Sequence, residues 1–175
     1  SGTTLLLNSP FDHHEVWDKL PAPMQRKIID LGVDVYAINA NEVARTAGLG
    51  GRTNTVLQTC YFAISGVLPR DVAIDRIKEA ITKTYAKKSA EIVRKNHVAV
   101  DSAVAALHHL EVPADVTSDH GYLAAVPDHA PQFVQEVTAK MLVDRGDDLP
   151  VSMLPVDGSY PSGTTKYEKR NISDI

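Results

Sequence analysis

The residues best placed to do chemistry lie in one turn, Gly48-Leu49-Gly50-Gly51-Arg52, immediately ahead of Thr53 and Asn54. Free amides at the start of a helix, with an arginine beside them, suit a phosphate or carboxylate. Read that way, Gly50, Gly51, Arg52 and Asn54 are the anion-contacting set. The same letters support a second reading. Gly48 can be the left-handed stop of a preceding helix, and Gly50 and Gly51 can let two backbones pass closely. A glycine-rich turn does not choose between the two. Asn8 and Ser9 are a further candidate pair, because ligands of open α/β sheets sit just past the carboxyl ends of strands. A simple turn at Asn8-Ser9-Pro10 explains them equally well.

Other reactive side chains have no such setting. Cys60 lies inside an apolar run, where burial without a cationic neighbour raises a thiol's pKa and leaves it inert. Ser9 and Ser65 have no histidine pattern nearby. His13-His14 and His108-His109 are adjacent pairs, and neighbours on a helix point in different directions. Neither pair has a matching third ligand, so no metal site is expected. His97 falls on an apolar helix face and reads as a core or interface histidine. No catalytic residue is expected within these 175 residues.

These residues need elements to hold them. Thr3 to Asn8 reads as a buried strand, and Phe11 to Leu20 as a short helix with Asp12 as its cap. Met24 to Leu31 is a second helix, closed by Gly32. Val33 to Ile38 is a strand rich in branched residues, followed by a helix from Glu42 to Ala47 capped within Asn39-Ala40-Asn41. Two strands joined by helices make a parallel crossover unit. Residues 53–65 are apolar on every side, with Val56, Leu57, Cys60, Tyr61, Phe62, Ala63 and Ile64. A helix apolar all round is buried all round, so this one is expected to stand as a central post.

Asp71 is expected to cap a helix running to Tyr85, and Ser89 to start the longest one, ending near Leu110. Beyond Val112-Pro113 the pattern changes to an extended connector. One more helix follows Pro131, with Phe133, Val134, Val137 and Met141 on one side. After Asp147 no period survives, and the tail needs a host surface to order it. The expected architecture is α/β: a partial Rossmann-like parallel sheet, flanking helices, a buried central helix and an irregular extended tail.

Composition narrows the classes. A hydrophobic fraction of 43% and a charged fraction of 23% suit a soluble globular chain. A net charge of −4 without a basic stripe argues against nucleic acid. No apolar run reaches the length of a membrane span. One cysteine excludes an internal disulfide and fits a reducing cytoplasm.

The segment GGRTNTVLQTCYFAISGVLPRDVAIDRIKEAITKTYAKKSAEIV, from Gly50 to Val93, closely resembles the gamma-type domain of pyruvate:ferredoxin or flavodoxin oxidoreductases. Gly2 to Pro10 resembles the "GGTFLLNSP" strand of that domain. Lys166-Tyr167-Glu168-Lys169-Arg170-Asn171-Ile172 resembles the Glu-Lys-Arg linker module ahead of the ferredoxin-like domain. The resemblance implies residues 1–112 as the C-terminal part of the gamma-type domain and 113–175 as the linker module. It implies a parent enzyme that turns pyruvate and coenzyme A into acetyl-CoA and carbon dioxide, with electrons passing to ferredoxin or flavodoxin. Thiamine diphosphate and 4Fe-4S clusters would belong to that parent, with none bound by this chain.

The chain lacks cluster cysteines and a G-D-G…N thiamine signature, so it reads as a slice or subunit piece of a longer polypeptide. Its expected partners are the other domains of the same oxidoreductase, in a homodimeric parent. Its expected role is a scaffold on the coenzyme A side, with Arg52 and the Gly50-Gly51 amides toward the phosphates. The alternative is a structural interaction module with no ligand of its own. A third reading, an unrelated nucleotide-binding α/β protein, predicts an N-terminal glycine fingerprint that this chain does not contain.

Overall fold

The computed structural model describes residues 2–168. Contacts divide the chain into two compact units, Ser1–Gly121 and Tyr122–Ile175.

The first unit is built on a three-stranded sheet ordered β1-β2-β3. Strands β1 (Thr4–Asn8) and β2 (Asp34–Ile38) are parallel, in register from Thr4↔Asp34 to Asn8↔Ile38. Between them run α1 (Val16–Lys19) and α2 (Ala22–Leu31). A parallel pair needs such a crossover. Gly32 ends α2 in the left-handed conformation, φ +57°, which glycine adopts without a Cβ penalty. After β2 come α3 (Ala40–Thr46), α4 (Asn54–Ile64), α5 (Arg70–Tyr85) and α6 (Ala90–Ala106).

Side-chain alternation places both faces of the sheet in apolar clusters. Leu6 and Ile38 join Val43, Ala44, Val56, Cys60, Ala99 and Ala103 on one face. Leu5, Leu7, Val35 and Ala37 join Val16, Trp17, Ile28 and Leu110 on the other. This is why the strands read as continuous apolar runs. As an edge strand, however, β1 is only half-buried, not fully buried as its letters suggested.

Four local expectations are corrected. The helix read from Phe11 is only α1, and His13 to Glu15 form a turn ahead of it. Asp71 does not cap α5; Pro69 is the flanking residue, with no side-chain cap bond, and Asp71 lies in the first turn. Helix α6 stops at Ala106, and β3 (His108–Leu110) pairs antiparallel with β2, Tyr36 opposite His109. The sheet is therefore mixed. Lastly, α4 is not encased on every side.

Helix α4 packs against α3, α5 and α6, with Val56, Thr59 and Cys60 fully buried. Its other flank is open. Tyr61 is 54% exposed, and Phe62, Ala63 and Ile64 are half-buried. The elements of this unit do not reach that side.

The buried Thr59 and Gln25 side chains both have partners. Thr59 Oγ1 donates to the Thr55 carbonyl at 2.8 Å, and Thr55 Oγ1 to Asn96 Oδ1 at 3.0 Å. Gln25 is completely buried. Its amide donates to the Trp17 carbonyl at 2.6 Å and accepts from the Thr117 and Ser118 backbone N–H groups at 2.9 and 3.0 Å. One side chain thus ties the stretch after β3 onto α2.

The second unit has a small core of Val126, Ala130 and Val134. A π-helical stretch, Val134–Thr138, runs into α7 (Ala139–Leu142). Beyond it lie only 3-10 turns, at Gly146–Asp148, Val151–Met153 and Thr164–Tyr167. The expected irregular tail is what the described residues form. The Lys169-Arg170-Asn171-Ile172 part of the linker motif lies outside them.

Candidate functional site

The turn ahead of α4 is held from one side. Gly48 N–H donates to the Arg45 carbonyl at 3.0 Å and Leu49 N–H to the Ala44 carbonyl at 2.8 Å, closing α3. Gly48 is left-handed at φ +77°, and a Cβ there would lie 3.2 Å from Lys95 Cε. The left-handed stop read at Gly48 is therefore present. Gly50 is also left-handed, at φ +63°. A Cβ at Gly50 or Gly51 would meet nothing within 4 Å, so neither glycine serves a close backbone passage. That expectation is corrected.

What remains at the turn is an open helix start. Thr53, the flanking residue of α4, makes no side-chain cap bond. The N-terminal amides of a helix have no partners within the helix, and among the described residues Thr53 supplies none from its side chain. Gly50, Gly51, Arg52 and Asn54 are all exposed around them. The turn is chemically able to take an anion, with the helix dipole aiding it.

Asn8 and Ser9 serve the scaffold. Asn8 Oδ1 accepts from Ala40 N–H at 3.0 Å, joining the end of β1 to the start of α3. Ser9 is buried; its N–H donates to the Ile38 carbonyl at 2.9 Å, and its Oγ accepts from Phe11 N–H at 3.1 Å. Asn39 Oδ1 caps α3 by accepting from Glu42 N–H at 3.0 Å. The two candidate sets are therefore unlike: one closes hydrogen bonds inside the fold, the other faces outward.

A second polar centre lies past the carboxyl end of β1, where sequence reasoning saw adjacent histidines pointing in different directions. Asp12, His13 and His14 sit in the turn before α1. Asp12 Oδ1 accepts from His14 N–H at 2.9 Å. That bond, foremost, holds the Asp12 carboxyl below its ordinary value, with the neighbouring histidines adding to it. The His13 ring lies 3.8 Å from that of His14 and stacks on His108 at 3.9 Å with 8° between planes. His109 contacts Tyr36 across the β2–β3 pair, ring centroids 4.7 Å apart. Recognising this grouping required seeing β3, and a three-residue strand gives too short a run for periodicity to register.

Cys60 is fully buried, and burial pushes its thiol up from 9.0 to about 11. It is an inert core group, as its apolar surroundings imply. His97 is half-buried, its Nε2 within 3.1 Å of both Thr82 Oγ1 and the Lys78 carbonyl. These contacts tie α6 to α5. Among the described residues, no helix is long and apolar enough to cross a membrane.

Comparison with known proteins shows the family. Residues 1–106 match the family model described as pyruvate ferredoxin/flavodoxin oxidoreductase. Residues 120–173 match the EKR model, described as a domain of unknown function. A protein of Synechocystis is 53% identical over 172 residues. A pyruvate-flavodoxin oxidoreductase of Rhodospirillum rubrum is 50% identical over 172 residues, 98% of this chain and 14% of its own length. A pyruvate:ferredoxin oxidoreductase of Moorella thermoacetica is 42% identical over 172 residues, 98% of this chain and 15% of its own. The chain thus spans about one seventh of the length of these curated relatives. With more than half its residues matched by the family model and near-complete cover by its relatives, the chain belongs to the pyruvate ferredoxin/flavodoxin oxidoreductase family.

Proposed function

We propose that this chain is an interdomain scaffold on the coenzyme A side of a pyruvate oxidoreductase. The parent would convert pyruvate and coenzyme A to acetyl-CoA and carbon dioxide, passing electrons to ferredoxin or flavodoxin. The observation that supports this reading is 98% coverage at 42–50% identity by proteins named pyruvate-flavodoxin and pyruvate:ferredoxin oxidoreductase. Residues 1–112 would be the C-terminal part of the gamma-type domain and 113–175 the linker module. The parent would be a cytoplasmic homodimer, without nucleic-acid or membrane partners.

A cluster does not fit the residues of this chain. A 4Fe-4S cluster needs several thiolates, and the one cysteine, Cys60, is a buried thiol inside α4. Thiamine diphosphate and the clusters would belong to other parts of the parent. The chain's own contribution is the exposed turn at Gly50, Gly51, Arg52 and Asn54, with the uncapped start of α4. Its amides and guanidinium would hold a phosphate of coenzyme A while chemistry proceeds elsewhere. Asn8 and Ser9 act one step back, by fixing the β1–α3 junction.

The test is Arg52→Ala in the full-length protein. Removing one exposed charge-assisted contact is expected to raise the KM for coenzyme A about tenfold, equal to about 1.4 kcal/mol. The KM for pyruvate should hold. Unchanged kinetics for both substrates would reject the coenzyme A assignment.

A second reading, an interaction module with no ligand, is supported by the apolar surface of Tyr61, Val67, Leu68 and Val72, all exposed in this chain. The two readings part on whether Arg52→Ala changes coenzyme A kinetics or only assembly of the parent.

A further inference from the structure

We propose that Asp12, His13 and His14 form a binding site for a transition-metal dication of the zinc, copper or nickel class. Each residue offers one donor atom, and the three donors lie within 4.8 Å of one another. An ion held at about 2.0–2.2 Å from imidazole nitrogen and carboxylate oxygen bridges donors about 3.5 Å apart. Small rotations of the two exposed side chains, Asp12 and His14, close the remaining gap.

The backbone makes this possible where a helix would not. Adjacent helical residues diverge, but residues 13–15 are a turn. The Asp12 carboxylate oxygen that accepts from His14 N–H at 2.9 Å also lies 3.3 Å from His13 Nδ1. Asp12 therefore already gathers the two residues it would share an ion with. His13 is held from the far side by its stack on His108, 3.9 Å away and nearly parallel. A ring stacked in that way is oriented by its neighbour. His108 is accordingly a positioning residue for His13 and not a fourth ligand.

The same two histidines border open space: His13, His14 and Trp17 line one cleft of about 580 Å³, with room beside the donors for an ion and its solvent. The donor set selects the ion: imidazole suits zinc, copper and nickel, whereas calcium and magnesium require oxygen shells. Three protein donors leave positions for solvent, so the ion would be exchangeable.

Zinc binding by the full-length protein tests this, using equilibrium dialysis with metal counted by mass spectrometry. Wild-type protein is expected to hold one more zinc per chain than the His13→Gln/His14→Gln variant. Asp12→Asn, which keeps the acceptor for His14 N–H, should retain the turn and weaken zinc binding. Copper(II) added to wild type should show nitrogen hyperfine structure in its electron paramagnetic resonance spectrum, reduced in His14→Gln alone. His14 is exposed, so that single variant folds even if the double one does not. Equal zinc content and an unchanged copper spectrum in His14→Gln would overturn the proposal.

Discussion

The two flanks of α4 carry side chains of similar character and meet opposite surroundings. Val56, Thr59 and Cys60 are sealed between α3, α5 and α6. Tyr61 stands 54% exposed, and Val67, Leu68 and Val72 in the stretch that follows α4 are exposed as well. The sequence makes no such distinction. A helix that is apolar all round records burial all round, and the described elements of the first unit supply it on one flank only. The difference teaches that the letters of α4 answer to more protein than these residues contain. The relatives, about seven times longer, have the chain to cover the open flank.

The comparison can be broken most forcefully on the sealed flank. Val56→Asp would bury an unpaired carboxylate and is expected to cost about 3–5 kcal/mol, read as loss of the cooperative unfolding transition of the isolated chain. Tolerance of this change would mean that the flank is not sealed.

Gln25→Ala should come next. It strands the Thr117 and Ser118 N–H groups and opens a cavity, at a cost of about 2–4 kcal/mol. Hydrogen exchange should rise at residues 117–118 before the sheet is affected. Protection unchanged there would show that Gln25 does not anchor the stretch.

Cys60 gives a subtler reading of the same sealed flank. Its folded-state value, about 11, lies above the ordinary 9.0. The folded state therefore holds the proton longer than the unfolded one. Stability from this group is complete below pH 9 and is lost as pH rises toward 11. Chemical denaturation across that window should show a downward slope that Cys60→Ala reduces. A slope of equal size in the variant would assign it to other groups.

The smallest effect belongs to the open flank. Tyr61→Ser should change the stability of the isolated chain by no more than about 0.5 kcal/mol. The same substitution in the full-length protein should cost more, because there the ring is covered. Equal small effects in both would count against a covering surface.

Much of the architecture was legible before any coordinates. The β1–β2 crossover, the left-handed stop at Gly48, the close of α2 at Gly32, a cap within Asn39-Ala40-Asn41 and the start of α6 at Ser89 follow from local chemistry. β3 was not legible. His108-His109-Leu110 continues the letters of α6, and only pairing with β2 makes it a strand. Missing it hid the stack of His13 on His108. Asp71 misled for a related reason: it has the chemistry of a cap, but Pro69 fixes where the helix starts. At the candidate anion site the sequence picked out an open, exposed turn in Gly50 to Asn54. It could not show that Asn8 had already committed its side chain to Ala40.

The central claim is that the Tyr61 flank of α4 is made for a surface outside this chain. Hydroxyl-radical footprinting of Tyr61 and Leu68, in the isolated chain and in the full-length protein, tests it most directly. Strong labelling in the chain and marked suppression in the full-length protein is the result predicted here. Equal labelling of both side chains in the two forms would contradict it.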